Sequence, residues 1–311
     1  MALRTERAAR RFAAALLLGA TLAGRAAAAA GPEAPAAATP PALVAFVTIL
    51  PQAYLLHAIA GPHARVEVLV GPGQSAETYE PTPRQMAALD DAVVYFRIGV
   101  PCERTLLPKI ARLHPALPIV DVREGIRLRP WEGDDGHGHD EGDPHIWLDP
   151  ALARVQARTM AATLARLDPP RAAAYAAGLA GLEAELTATE AELTRLLSPW
   201  RGRSFYVFHP AFAYLGAPFG LRQVAVQRGG REPAARELAA LIEQARREGV
   251  RAIFIQPQYA PRSARTVAEA IGARLVPLDD LAPDYPANLR RMAAALAQAF
   301  AADPAATEVR P

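Results

Sequence analysis

The stretch RAAAYAAGLAGLEAELTATEAELTRLL, residues 171–197, is the most informative about the fold. It lies near the middle of a chain of 311 residues. Its apolar residues recur at spacings of three, four or seven, which predicts one long helix with an apolar stripe and glutamates on the wet side. At 1.5 Å per residue this helix is about 40 Å long, comparable with the height of a small two-lobed protein. It is interpreted either as a spine between two lobes or as a packing helix in one continuous domain.

The chain on both sides of this helix alternates short apolar runs with amphipathic stretches, which is the pattern of βα units and parallel sheets. Eight strands are predicted, at residues 43–49, 66–70, 92–96, 118–121, 204–208, 221–226, 252–256 and 274–278. One helix is predicted to begin after Thr82 as N-cap, with Pro83 at its first position. The sequence therefore predicts an α/β protein of two similar lobes, each with a parallel sheet of about four strands.

The first 30 residues do not look like part of this fold. A basic segment, an apolar run from Phe12 to Ala23 and small residues from Ala26 to Ala30 form the pattern of an export signal. No apolar run reaches the roughly 20 residues that a bilayer span needs. Because the chain begins with the pattern of an export signal, we expect a protein secreted to the periplasm. The predicted divisions are a signal peptide at 1–30, a flexible leader at 31–42, an N-terminal lobe at 43–170, a linking helix at 171–197 and a C-terminal lobe at 198–311.

Composition excludes several classes of protein. With 51% hydrophobic residues the chain can form a packed core. Its 34 Lys and Arg nearly balance its 32 Asp and Glu, so the net charge does not favour a nucleic-acid-binding protein. The single cysteine, Cys102, excludes an internal disulfide framework and a thiolate cluster. A metal site in this protein must therefore use nitrogen and oxygen ligands.

Four polar residues follow predicted strands, where open α/β sheets bind their ligands. They are Glu77 after the second strand, His145 in the loop after the fourth, His209 directly after the fifth and Asp279 directly after the eighth. Two imidazoles with one or two carboxylates suit Zn²⁺, Mn²⁺ or Fe²⁺. Taken singly, each has an ordinary structural explanation; Asp279, for example, could cap the turn that follows it.

Four segments carry a family resemblance: GQSAETYEPTP at 73–83, DPHIWLDP at 143–150, YVFHPAF at 206–212 and VPLD at 276–279. They closely resemble the metal-specific solute-binding proteins of bacterial ABC transporters, of the zinc and manganese (ZnuA/TroA) type. The resemblance extends from about residue 43 to about residue 300. It implies two βα lobes with parallel four-stranded sheets, joined by a long rigid backbone helix, and one metal ion in the cleft. The implied partners are an ABC permease and its ATPase, and we expect a monomer.

The resemblance also implies a ligand set. His145, His209 and Asp279 match three of the family's four ligands, while Glu77 stands where the family usually has His. The predicted site is therefore two His, one Glu and one Asp, or, without Glu77, the other three ligands plus water. The loop at 132–141, with His137 and His139, resembles a shortened form of the His-rich loop of zinc-binding members; it is either an accessory metal loop or an ordinary solvated acidic loop.

These observations lead to a functional prediction. We expect extracytoplasmic capture of a divalent transition-metal ion and its delivery to the permease, without enzymatic activity. Zinc is the first choice because its intrinsic affinity is higher, although the oxygen ligands favour manganese, and iron is also possible. The alternative is a periplasmic metal-dependent hydrolase, which would need an open coordination position for water.

Overall fold

The computed structural model describes residues 42–131, 142–227, 231–259 and 262–302, and within them the chain forms two parallel four-stranded sheets. The strands of the first sheet are β1 Leu43–Val47, β2 Ala64–Val68, β3 Val94–Arg97 and β4 Ile119–Asp121. Those of the second are β5 Ser204–Val207, β6 Arg222–Ala225, β7 Ala252–Ile255 and β8 Arg274–Pro277. The spatial orders, β2-β1-β3-β4 and β6-β5-β7-β8, are equivalent. All eight predicted strands are present, and the predicted fold class is confirmed.

The helices cover the faces of these sheets and connect them. They are α1 Leu50–Ala60, α2 Pro83–Ala88, α3 Cys102–Leu113, α4 Pro150–Leu167, α5 Ala172–Leu197, α6 Ala213–Gly216, α7 Ala235–Arg247, α8 Arg262–Ile271 and α9 Tyr285–Ala301. The predicted cap of α2 is confirmed, because Thr82 Oγ1 accepts from Gln85 N at 3.3 Å while Gln85 Oε1 accepts from Thr82 N at 3.0 Å. None of the helices in the described ranges is both long and apolar enough to cross a membrane.

Helix α5 joins the two halves of the chain, as the long periodic stretch predicts. Its buried stripe includes Tyr175, Leu182, Leu186 and Leu193, and it packs against α1, α4 and α9. One hydrophobic core contains this stripe together with strand residues of both sheets. The two sheets are therefore held on a shared apolar core, while the exact lobe limits at residues 170 and 198 stay a prediction.

The last helix returns to the middle of the molecule. In α9, Arg290 donates to Thr189 Oγ1 of α5 at 2.7 Å and pairs with Glu192 at 2.9 Å. Near the N-terminus of α9, the hydroxyl of Tyr285 donates to the backbone oxygen of Trp147, in the first half of the chain. Helix α9 thus connects the second half of the chain to α5 and to the first half.

A glycine of α5 allows this close packing. A methyl group on Gly178 would lie 2.3 Å from the carbonyl oxygen of Ile59 and 2.8 Å from that of Ala58, at the end of α1. We expect Gly178→Ala to lower the free energy of unfolding by roughly 1–3 kcal/mol, because backbone must move to admit the methyl group.

The matched control lies one turn further along α5. A methyl group on Gly181 meets nothing within 4 Å, so Gly181→Ala should raise stability by about 0.5–1 kcal/mol through helix propensity. Urea unfolding of both variants measures the difference. Equal effects of the two substitutions would show that the α1–α5 contact does not require glycine.

Candidate metal centre

A cavity lies between the carboxyl edges of the two sheets, and its walls carry polar side chains from both halves of the chain. Ser75, Glu77 and His145 come from the first half, and His209, Gln256 and Asp280 from the second. Hydrogen bonds cross between the halves beside it: Trp131 Nε1 donates to Pro210 O at 3.1 Å, and Trp147 Nε1 donates to Asp280 O at 2.8 Å. Hydrogen bonds between the two halves of the chain therefore stabilise the walls of the cavity.

His209 follows β5 and is 3% exposed. Its Nδ1 lies 2.9 Å from Oε1 of Gln227, and an amide oxygen can only accept, so Nδ1 carries the proton. The other nitrogen, Nε2, lies 2.8 Å from Oε1 of Glu77. In neutral His209 the lone pair of Nε2 is therefore directed towards a carboxylate oxygen. This close contact of two acceptors is relieved either by a proton on Nε2 or by separation of the two atoms around a cation.

The pKa shifts of His209 and Glu77 agree with a site for positive charge between them. Burial alone would lower the pKa of His209, but the contact with Glu77 outweighs it and the pKa is raised. Burial would likewise raise the pKa of Glu77, but His209 and His145 together bring it below its ordinary value. The site therefore stabilises positive charge between these side chains, which is what binding of a divalent cation requires.

His145 is oriented by a buried carboxylate. Oδ1 of Asp143 lies 2.7 Å from Nδ1 of His145 and accepts from its backbone N at 3.0 Å. Asp143 is 1% exposed and His145 is 4% exposed. A carboxylate that holds one imidazole nitrogen and leaves Nε2 for the ion is the usual support of a metal-binding histidine. The ring centroids of His145 and His209 are 5.7 Å apart, so the two imidazoles are neighbours in the cavity.

The fourth predicted residue lies elsewhere. Oδ1 of Asp279 accepts from Gln258 Nε2 and from Leu281 N, both at 3.0 Å, so its carboxylate caps the turn after β8. Its neighbour Asp280 is 7% exposed and lines the cavity. Burial raises the pKa of Asp280, against the opposing effect of the two histidines. The structure thus brings together Glu77, His145 and His209, and it adds Asp280 rather than Asp279.

Aromatic rings enclose the two imidazoles. Tyr259 stacks on His209 with ring centroids 5.2 Å apart, and Trp147 lies 5.0 Å from His145. Trp131 contacts both histidines, at 5.7 and 6.3 Å. Sequence reasoning did not single out Trp131, Tyr259 or Gln227, since no local motif marks them. These rings limit the movement of the imidazoles and exclude water from one side of them.

Metal entry requires a small rearrangement. In the part of the chain that the structure describes, no three His, Cys, Asp or Glu side chains already have the spacing of a metal-ligand set. Ligand atoms of tetrahedral zinc lie about 3.3 Å apart when each is about 2.0–2.1 Å from the ion, whereas Glu77 and His209 are 2.8 Å apart. These two side chains must therefore separate by about half an ångström to admit an ion. His137 and His139, of the predicted accessory loop, lie outside the described residues.

The chain thus has two parallel four-stranded sheets on a shared core with one long helix, and a polar cavity between their carboxyl edges. A sequence profile described as "ZnuA: Zinc-uptake complex component A periplasmic" matches residues 46–299. The chain belongs to this family, and the resemblance found in its motifs is confirmed. The description of the family names a periplasmic component of a zinc-uptake complex.

Individual relatives agree with this assignment. The high-affinity zinc uptake system protein ZnuA of Brucella abortus (strain 2308) is 32% identical over 298 residues, covering 80% of this chain and 89% of the relative. The zinc-binding lipoprotein AdcA of Streptococcus pneumoniae serotype 4 is 29% identical over 238 residues, 72% of this chain. The chain spans about half of that relative's length, 47%.

Solved structures share the fold. A crystal structure of ZnuA superposes with a TM-score of 0.78 at 38% sequence identity, covering 83% of this chain and 99% of its own. The laminin-binding protein Lmb of Streptococcus agalactiae, described as having adhesin and metal transporting activity, gives a TM-score of 0.72 at 25% identity. It covers 83% of this chain and 99% of its own.

Proposed function

We propose that this protein captures a zinc ion outside the cytoplasm and delivers it to an ABC permease driven by its ATPase. The observation that carries the proposal is the convergence of Glu77, His145, His209 and Asp280 on one cavity between the two sheets. Delivery to a permease is supported by membership of a zinc-uptake family. The export signal at 1–30 and the monomeric state belong to the same proposal.

The proposed coordination is Nε2 of both histidines with one oxygen from each carboxylate. Four protein ligands from two lobes enclose an ion, whereas a catalytic zinc keeps a position open for water. Such a closed set supports carriage of the ion rather than hydrolysis. Zinc is preferred because its affinity for nitrogen and oxygen ligands exceeds that of manganese and iron at comparable sites.

The metal content of protein purified without chelators tests this function. We expect one zinc ion per chain, retained in competition with manganese. Protein that takes up no stoichiometric divalent ion from buffered zinc would refute the proposal.

A second experiment distinguishes the two neighbouring aspartates. We expect Asp280→Ala to weaken zinc binding at least roughly 10- to 100-fold, since removal of even a group that only supports a metal ligand has an effect of this size. Asp279→Ala should change zinc affinity little, because its carboxylate binds Gln258 and Leu281 instead. Competition with a chromophoric chelator measures both variants. The reverse order of effects would return Asp279 to the ligand set.

A further inference from the structure

The metal cavity contains a buried oxygen that the ligand set does not use. Gln256 is 1% exposed and lines the cavity, and its Oε1 accepts no hydrogen bond from the described residues. Buried amide oxygens almost always have a donor, so such an atom calls for an ion or a bound water. Among the described side chains of the cavity, Glu77 Oε1 and Gln258 Oε1 also accept no hydrogen bond, but Glu77 already belongs to the proposed ligand set and Gln258 is only half-buried.

Strand register places Gln256 beside a metal-site histidine. Val207 of β5 pairs with Ala225 of β6 and with Phe254 of β7. His209, Gln227 and Gln256 stand two residues after these three, just past the ends of their strands. Backbone hydrogen bonds from Gln227 N to Phe208 O and from Phe208 N to Phe254 O continue the pairing there, so the three residues form one row at the sheet edge.

The two glutamines of this row have different partners. Gln227 accepts from Nδ1 of His209 at 2.9 Å and so fixes the orientation of the ring. Gln256, on the other side of His209, contacts the cavity that Glu77 and Asp280 also line. Its amide oxygen is a hard, neutral donor of the kind that suits Mn²⁺ better than Zn²⁺.

We propose that Gln256 supplies an additional neutral oxygen to the coordination shell of the bound ion and so broadens the site beyond zinc. The proposal rests on the proposed function, since it assigns a fifth group to the same cavity. Zinc is satisfied by four ligands, whereas Mn²⁺ and Co²⁺ accept more. Gln256 thus determines how well ions of higher coordination number compete with zinc.

The test compares Gln256→Leu with wild type for Zn²⁺, Mn²⁺ and Co²⁺. Loss of the oxygen should weaken Mn²⁺ binding roughly 10-fold and leave Zn²⁺ affinity within a factor of about three. The visible absorption of the Co²⁺ complex should become more intense, because Co²⁺ bands strengthen when the coordination number falls. A structural defect alone would weaken all three ions together and would not change the Co²⁺ spectrum in this way.

The chain offers a matched control. Gln156 in α4 is 0% exposed, and its Oε1 also lacks a donor among the described residues, but it does not line the cavity. Gln156→Leu should therefore leave the Mn²⁺ to Zn²⁺ ratio and the Co²⁺ spectrum unchanged. If Gln256→Leu fails to fold, Gln256→Glu retains an oxygen at the same place and should bind Mn²⁺ at least as well as wild type.

The outcomes separate this proposal from the proposed function. Stoichiometric zinc in wild type, with the same Mn²⁺ to Zn²⁺ ratio and Co²⁺ spectrum in Gln256→Leu, would overturn the role of Gln256 alone. Wild type that binds zinc but no Mn²⁺ would overturn it as well. Wild type that binds none of the three ions would overturn both.

Discussion

Replacement of His209 by alanine is expected to weaken zinc binding by roughly a hundredfold to a thousandfold. Binding of structural zinc is worth about 10–16 kcal/mol. Shared over four ligands this is about 2.5–4 kcal/mol for each, or roughly two to three powers of ten in affinity. The variant also loses the ring that Gln227 and Tyr259 hold in place. The other imidazole of the described cavity lining, His145, already belongs to the proposed ligand set.

The measurement is a competition titration of zinc against a chromophoric chelator. His57→Ala is the control, because His57 is an exposed residue of α1 outside the cavity, and it should bind zinc as wild type does. Wild-type affinity in His209→Ala would mean that the ion binds elsewhere in the protein.

Replacement of Glu103 by alanine is expected to destabilise the metal-free protein by about 3–5 kcal/mol, because three buried hydrogen-bond donors lose their acceptor at about 1–3 kcal/mol each. Glu103 is 1% exposed in the first turn of α3. Its carboxylate accepts from Ile98 N at 3.0 Å, from Gly99 N at 2.6 Å and from the hydroxyl of Thr48. Burial raises the pKa of Glu103, and these three donors oppose that shift.

The same substitution should also affect the metal site. Glu103 holds the turn after β3, where Val100 and Pro101 line the cavity. The next residue, Cys102, donates its backbone N–H to Ala76 O at 3.1 Å and so connects this turn to the residue before Glu77. We therefore expect a smaller, secondary loss of zinc affinity in Glu103→Ala.

Urea unfolding with a chelator present measures stability without the contribution of bound metal. Glu124→Ala, at an exposed position of the same half of the chain, is the control and should remain within about 0.5 kcal/mol of wild type. A loss below about 1 kcal/mol in Glu103→Ala would mean that the freed donors find water instead.

Local patterns were sufficient for much of this protein. The eight strands are short apolar runs bounded by polar or glycine-containing segments, and each is present within two residues of its predicted ends. The long helix was predicted at 171–197 and spans Ala172–Leu197. His145 and His209 were predicted from their position after strands, and the structure places both in the cavity. Such features depend on neighbours in the chain, which a sequence contains directly.

Other features depend on residues that are distant in sequence. The choice between Asp279 and Asp280 is made by the turn after β8, in which Asp279 binds Gln258 and Leu281. The requirement for glycine at 178 comes from the end of α1, more than a hundred residues earlier. Neither could be predicted from local periodicity, because each depends on which surfaces meet after packing.

The sequence alone determined the α/β class, the two groups of four strands, the long helix between them and the kinds of ligand atom available to a metal. Which side chains share the cavity depends on tertiary structure, because strand register brings His209 and Gln256 together at one sheet edge. Tertiary structure also decided that Asp280 faces the histidines while Asp279 caps a turn. The physical reason is that residue type and spacing specify the elements, whereas the direction of each side chain is set by hydrogen bonds and packing between elements.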